Sequence, residues 1–193
     1  MNKFQQALEL FDNYNKQDPR FILWEGVNHP TEYFYALQLY NWVTRLEPGA
    51  SESLLLAARS QHIGRWKSPR DNYPQGKAGY LRWRSELRNF HAETAAALML
   101  QAGFDDEAIR AVQKIILKEQ LKYNHEVQVM EDALCLVFLQ FQYIQFVNSH
   151  EEDKVVRVLK KTLQKMSRQG RDAALLLEYD EAGKALLGKA LAL

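Results

Sequence analysis

The sequence predicts an all-α, compact, single-domain multi-helix fold, and three observations predict it. Apolar residues recur at helical spacing from Phe4 to the C-terminal segment. Pro, Gly and potential capping side chains separate the periodic stretches. No alternation of apolar and polar residues marks a strand, and no repeat or low-complexity linker interrupts the 193 residues.

Each element has its own reason. Phe4, Leu8 and Phe11 give a first helix its apolar face, and it ends near Asn13–Asp18, ahead of Pro19. Residues 21–30, FILWEGVNHP, read as a loop with an aromatic anchor. Thr31 can cap a second helix with Phe34, Leu37, Trp42 and Leu46, and Pro48–Gly49 stop it. Ser51 can cap a third, carrying Leu54, Leu55, Ala58 and Ile63. Pro69, Pro74 and Gly76 make 67–77 a loop. A long helix follows from Gly79 to Gln101 and stops at Gly103. Asp105 and Asp106 open the next, where acidic groups complement the helix dipole. Asn124 can cap a helix from His125 to about Val147, which is apolar nearly all round at Ala133–Phe141 and is expected at the centre of the core. A charged amphipathic helix over 151–168 and a short one over 180–191 complete the chain. The expected domain is 1–193, with a core at 31–148 and C-terminal helices at 151–193.

Composition narrows the function classes. The chain is 47% apolar and 25% charged, as soluble globular proteins are. A formal net charge of +1 gives no bulk attraction to nucleic acid or membrane, so only local clustering informs. Cys135 is the single cysteine, so no disulfide is implied and a reducing, cytoplasmic setting is expected. The N-terminus lacks the apolar region of a signal peptide. The most apolar run, ALCLVFLQFQYIQF, is broken by Gln, so no membrane association is expected.

The local cluster lies between Gln61 and Arg84, QHIGRWKSPRDNYPQGKAGYLRWR. It holds six Lys or Arg, two Trp and two Tyr against the single acid Asp71. Guanidinium and aromatic groups suit planar or anionic ligands such as phosphates, nucleotides or a nucleic-acid backbone. The plainer alternative is a solvated basic loop with its tryptophans packed in the core. Three further polar groups sit on faces expected to line the core: His62 near the end of its helix, His91 in mid-helix with Arg84 and Arg88 on the same side, and Glu131–Asp132 just before ALCLVF. Two His and one or two carboxylates from three helices would make an N/O divalent metal site able to activate water. Each signal has a plainer reading, a hydrogen-bonded core His or a helix-end carboxylate, and no local ligand motif such as H-E-x-x-H is present. No P-loop or G-x-G-x-x-G occurs, and Cys135 sits where a thiol is usually inert packing. His29, His125 and His150 read as surface residues.

The runs ASESLLLAARSQHIGRWKSPRDNYPQGKAGYLRWR, NFHAETAAALMLQAGF and NHEVQVMEDALCLVFLQF resemble the DUF4202 family, whose name assigns no activity. More distantly, His62 with Arg65, then His91, then Asp132 on successive helices are similar to the HD-domain phosphohydrolases. That resemblance implies a divalent metal held by His62, His91 and Asp132. The chain departs from it at the His-Asp doublet, which reads His91–Ala92; Glu131 is the carboxylate available to fill the gap, and a degenerate relative that binds a nucleotide without hydrolysing it is equally open.

The expectation is therefore metal-dependent hydrolysis, or binding, of a small phosphorylated ligand or nucleotide. His62, His91 and Asp132 hold a divalent ion of unknown identity, and Glu131 acts as ligand or orients water. Arg65, Arg70, Lys77, Arg84 and Arg88 hold phosphate, and Tyr73, Tyr80 or Trp66 stacks on a base. Loop 67–77 is the expected lid. The alternatives are a non-enzymatic RNA- or nucleotide-binding module using 61–84, and a helical scaffold that self-associates through 151–193.

Overall fold

The computed structural model describes residues 2–121 and 123–192. The order is α1 (Lys3–Asn15), β1 (Phe21–Trp24), β2 (Val27–Pro30), α2 (Thr31–Leu46), α3 (Glu52–Ser60), two short 3₁₀ turns (Arg65–Lys67 and Arg70–Asn72), α4 (Gly76–Gln101), α5 (Asp106–Ile116), α6 (His125–Val137), a π-turn (Phe138–Gln142), α7 (Tyr143–Asn148), α8 (Glu152–Lys165), α9 (Arg168–Leu175) and α10 (Glu181–Ala192). The fold is all-α apart from one hairpin.

Capping explains most helix starts. Asn2 accepts from Gln5 N and Gln5 reaches back, a reciprocal box at α1. Ser51 and Asn124 cap α3 and α6 as expected, and Asp105, expected only to complement the dipole, caps α5. Thr31 does not cap α2. It is the first residue of that helix, its N–H donates to the Arg20 carbonyl, and Asp18 caps from outside by accepting from Glu32 N at 3.0 Å.

Residues 21–30 correct the sequence reading, which found no strand. They pair as an antiparallel hairpin, Phe21 opposite Pro30 and Trp24 opposite Val27. Glu25 and Gly26 both have positive φ, the geometry of a tight two-residue turn that matches strand twist. The aromatic anchor is present: the Trp24 ring lies 5.0 Å from that of Phe141 and 5.7 Å from that of Phe34. The expected helix 125–147 is also different. It breaks at the π-turn into α6 and α7, and a separate α9 follows α8.

One apolar core runs from Ala7 to Ala190. Phe11, Phe34, Leu54, Leu56, Ile63, Met99, Ile116, Met130 and Leu136 are at its centre. α6 packs on α2, α8 and α9, which places its polar pair Glu131–Asp132 deep in the protein, 4% and 2% exposed. No helix is long and apolar enough, among the described residues, to cross a membrane.

Candidate functional site

Three cavities meet at His62 and Arg65. The first, about 440 Å³, is walled also by Gln61, Arg84, Arg88, His91 and Lys118. A second, about 280 Å³, continues to Glu131, Cys135 and Lys165. The third, about 340 Å³, opens toward Arg20, Glu32, Tyr35, Phe138 and Gln142.

The chain reaches this place through a reversal. α3 ends at Ser60, and Gly64 takes φ +68°, a left-handed conformation that turns Arg65 back toward α4. A side chain is excluded there twice over, because a Cβ would meet the rings of Tyr14 at 2.8 Å and Phe90 at 2.9 Å. Gly64 N donates to Asn15 Oδ1, which pins the turn to α1.

His91 stands in mid-α4 and is 3% exposed. Its Nδ1 donates to the Ile63 carbonyl at 2.7 Å, which fixes the tautomer and leaves Nε2 as a bare acceptor. Burial holds its pKa down to about 4; the carbonyl hydrogen bond opposes this and the Arg65 charge reinforces it. The His62 ring lies 5.8 Å from the His91 ring. Burial, then Arg65, His91, Lys118 and Arg84, push the His62 pKa well below its usual value. Both imidazoles are therefore neutral near pH 7.

The cations around them are incompletely matched. Lys118, at φ +56°, pairs with Glu131, and Lys165 stands 3.7 Å from the same carboxylate. None of the ion pairs of the described residues involves Arg65, Arg84 or Arg88. Arg65 lies over the Trp83 ring, Arg84 reaches the Tyr80 hydroxyl at 3.4 Å, and Arg88 the Leu117 carbonyl at 3.4 Å. Tyr80 is at the rim of the first cavity. Across the neck, burial raises the Glu32 carboxyl pKa while Arg65 and Arg20 oppose the rise. The Cys135 thiol is pushed up to about 12 by burial, then by Glu131, so it stays protonated.

The expected residues thus divide. His62, His91, Arg65, Tyr80, Arg84 and Arg88 come together, and Glu131 lines the adjoining cavity. Asp132 does not join them. Its Oδ1 accepts from Ser167 N at 2.8 Å and Gln128 Nε2 at 3.0 Å, and its Oδ2 accepts from Ser167 Oγ at 2.5 Å. It braces the residue that caps α9, and Gly170 sits so close that a Cβ would lie 2.6 Å from Asp132 Cγ. Ala92, at the doublet position, is packed in the core, and Glu93 is exposed. Among the described residues no group of three or more His, Cys, Asp or Glu side chains is placed to hold a metal ion. His62 and His91 present neutral nitrogen donors, but the set of His62, His91 and Asp132 is not assembled, since both Asp132 oxygens are engaged elsewhere.

Loop 67–77 is also built differently from the expectation. Arg70 donates to the carbonyls of Tyr73 at 3.0 Å and Pro74 at 2.9 Å, so it staples its own loop. Tyr73 donates to Glu86 Oε2, and Trp83 Nε1 to the Ser68 carbonyl, which tie the loop to α4. Lys77 is exposed on the first turn of α4, and Trp66 packs near Tyr14. Arg70, Tyr73, Lys77 and Trp66 are in none of the three cavity walls.

Sequence reasoning missed Gln61, Lys118, Lys165 and the Arg20–Glu32 pair. Gln61 had the signal of adjacency to His62. Lys118 had none, because its surroundings read as continuing helix.

The profile of the family described as Domain of unknown function (DUF4202) matches residues 5–187, and the chain belongs to this family. No curated protein and no solved structure matches it.

Proposed function

We propose that this protein binds a small phosphorylated molecule, a nucleotide or related phosphoester, in the cavity at His62 and Arg65, and that it does so in the cytoplasm. One observation carries the reading: Arg65, Arg84 and Arg88 line one cavity, and neither Arg84 nor Arg88 has a carboxylate partner there. Guanidinium groups match phosphate oxygens with paired, charge-assisted hydrogen bonds. Neutral imidazoles beside them add acceptors rather than further charge. The cytoplasmic location rests on the single buried, unpaired Cys135.

Metal-dependent hydrolysis of such a ligand would need His62 and His91 to work with a carboxylate other than Asp132. The RNA-binding alternative is less favoured, because Arg70 and Lys77 stand away from the cavity and its walls enclose a small molecule rather than a strand.

Titration calorimetry with ADP, ribose 5-phosphate and inorganic phosphate tests the reading. Binding is expected to weaken as salt rises, and to weaken about tenfold or more in Arg65→Ala and in Arg84→Ala. Absence of binding by every probe at millimolar concentration overturns it.

A further inference from the structure

Two buried acceptors in the wall of the first cavity have no partner, Gln61 Oε1 and His91 Nε2. Gln61 is 4% exposed and His91 3%. In both, a main-chain carbonyl takes the donor end of the side chain. Gln61 Nε2 donates to the Ile116 carbonyl at 3.3 Å, and His91 Nδ1 to the Ile63 carbonyl at 2.7 Å. A carbonyl only accepts, so these contacts fix the amide orientation and the imidazole tautomer. What is left unpaired is, twice, a buried lone pair on a residue of the cavity wall.

Bare buried acceptors are uncommon and unfavourable in folded proteins. The neighbouring donors do not quench these two: Arg84 and Arg88 go to Tyr80 and Leu117, and Lys118 goes to Glu131. Arg84 and Arg88 are exposed, long and flexible, so they can shift as a ligand enters. The wall therefore makes two demands. The guanidinium groups need an anion, and the acceptors need O–H or N–H groups on the same molecule.

We propose that the ligand is a hydroxylated phosphoester, a sugar phosphate or other phosphorylated polyol. Its phosphate lies against Arg65, Arg84 and Arg88, and its hydroxyls donate to Gln61 Oε1 and His91 Nε2. The proposal rests on the anion-binding reading and adds the other half of the ligand. A phosphate without hydroxyls satisfies the cations and leaves both acceptors bare. A cavity of about 440 Å³ is in the range that encloses one small organic ligand. Sites built to pair a hydroxyl discriminate strongly against analogues that lack it.

The test compares ligands on the unaltered protein. Titration calorimetry uses ribose 5-phosphate, glucose 6-phosphate, n-butyl phosphate and inorganic phosphate. At least one sugar phosphate is expected to bind tenfold or more tightly than butyl phosphate. In Gln61→Met this preference is expected to shrink at least fivefold, the larger loss falling on the sugar phosphate. If butyl phosphate binds as tightly as the sugar phosphates, the acceptors serve water, the proposal is overturned and the anion-binding reading stands. If none of the four binds, this proposal falls, and the anion-binding reading falls with it when ADP also fails to bind. Should Gln61→Met fail to fold, the comparison on the unaltered protein decides alone.

Discussion

Glu131 and Asp132 are adjacent carboxylates on α6, both buried, and the protein treats them in opposite ways. Asp132 has every oxygen engaged by Gln128 and Ser167 within one finished knot. Glu131 belongs to a region left open, where Arg84 and Arg88 lack counter-ions and Gln61 Oε1 and His91 Nε2 lack donors. Both regions hold buried polar side chains, so burial and polarity do not mark a site. The mark is the set of polar groups that the chain itself does not match. Folding selects against such groups unless something outside the chain completes them.

The largest expected effect is on the finished side. Asp132→Ala leaves the Ser167 N–H and hydroxyl without their acceptor, and should cost about 3 kcal/mol or more in urea unfolding, since each hydrogen bond to a charged group contributes about 1.5–3 kcal/mol. The folded protein should keep its affinity for phosphorylated ligands. Asp132→Asn should cost only about 1 kcal/mol, because one acceptor oxygen remains. A variant of Asp132 that folds normally and loses ligand binding would erase the contrast between the two regions.

The next effect belongs to the open side and is read through pH. His91 titrates near 4 in the folded protein and near its usual 6.5 when unfolded. Between those values the unfolded chain holds more protons, so stability falls as pH drops from about 6.5 toward 4. The His91 share reaches about 3 kcal/mol at the lower end. Glu32, whose pKa burial raises, acts in the opposite direction at the acid end. Urea melts at pH 7 and pH 5 on the native chain and on His91→Gln should show a shallower loss in the variant. An equal slope in both would mean that His91 is not held neutral.

A third comparison sits within the basic segment. Arg65→Ala should weaken phosphate-ester binding by about 1.5–3 kcal/mol, roughly 10- to 100-fold. Arg70→Ala, which removes a loop staple, should change that affinity less than about twofold and stability by about 1 kcal/mol. Equal losses of affinity from the two substitutions would move the site toward the loop.

Much of the fold was legible because it follows local rules. Ser51 and Asn124 cap where their side chains and the following apolar residues indicate. The hairpin was not legible, since FILW and VNHP are too short to show alternation and their pairing depends on a turn with positive φ at Glu25. Within the site, helical spacing correctly brought His62, His91, Arg84 and Arg88 together. It failed for Asp132, because a helix turns about 100° per residue and neighbouring carboxylates look out at different partners. Ser167 is far along the chain, and nothing near residue 132 announces it. The placement of Arg70 has a related reason: a basic side chain in a Pro- and Gly-punctuated loop has carbonyls of that loop within reach.

The π-turn at Phe138–Gln142 gives this protein a place where chain length and shape are coupled. Such a turn is a helix carrying one residue too many. The wider turn absorbs that residue, so deleting one there would restore regular winding and leave the helix beyond it in phase. Tyr143, whose hydroxyl donates to the Gly183 carbonyl, would keep its seat, and the wall positions Phe138 and Gln142 within the turn would be remade. Length variation at this point among related chains would therefore reshape the third cavity in a single step, with His62 just after α3 and His91 on α4 left as they are.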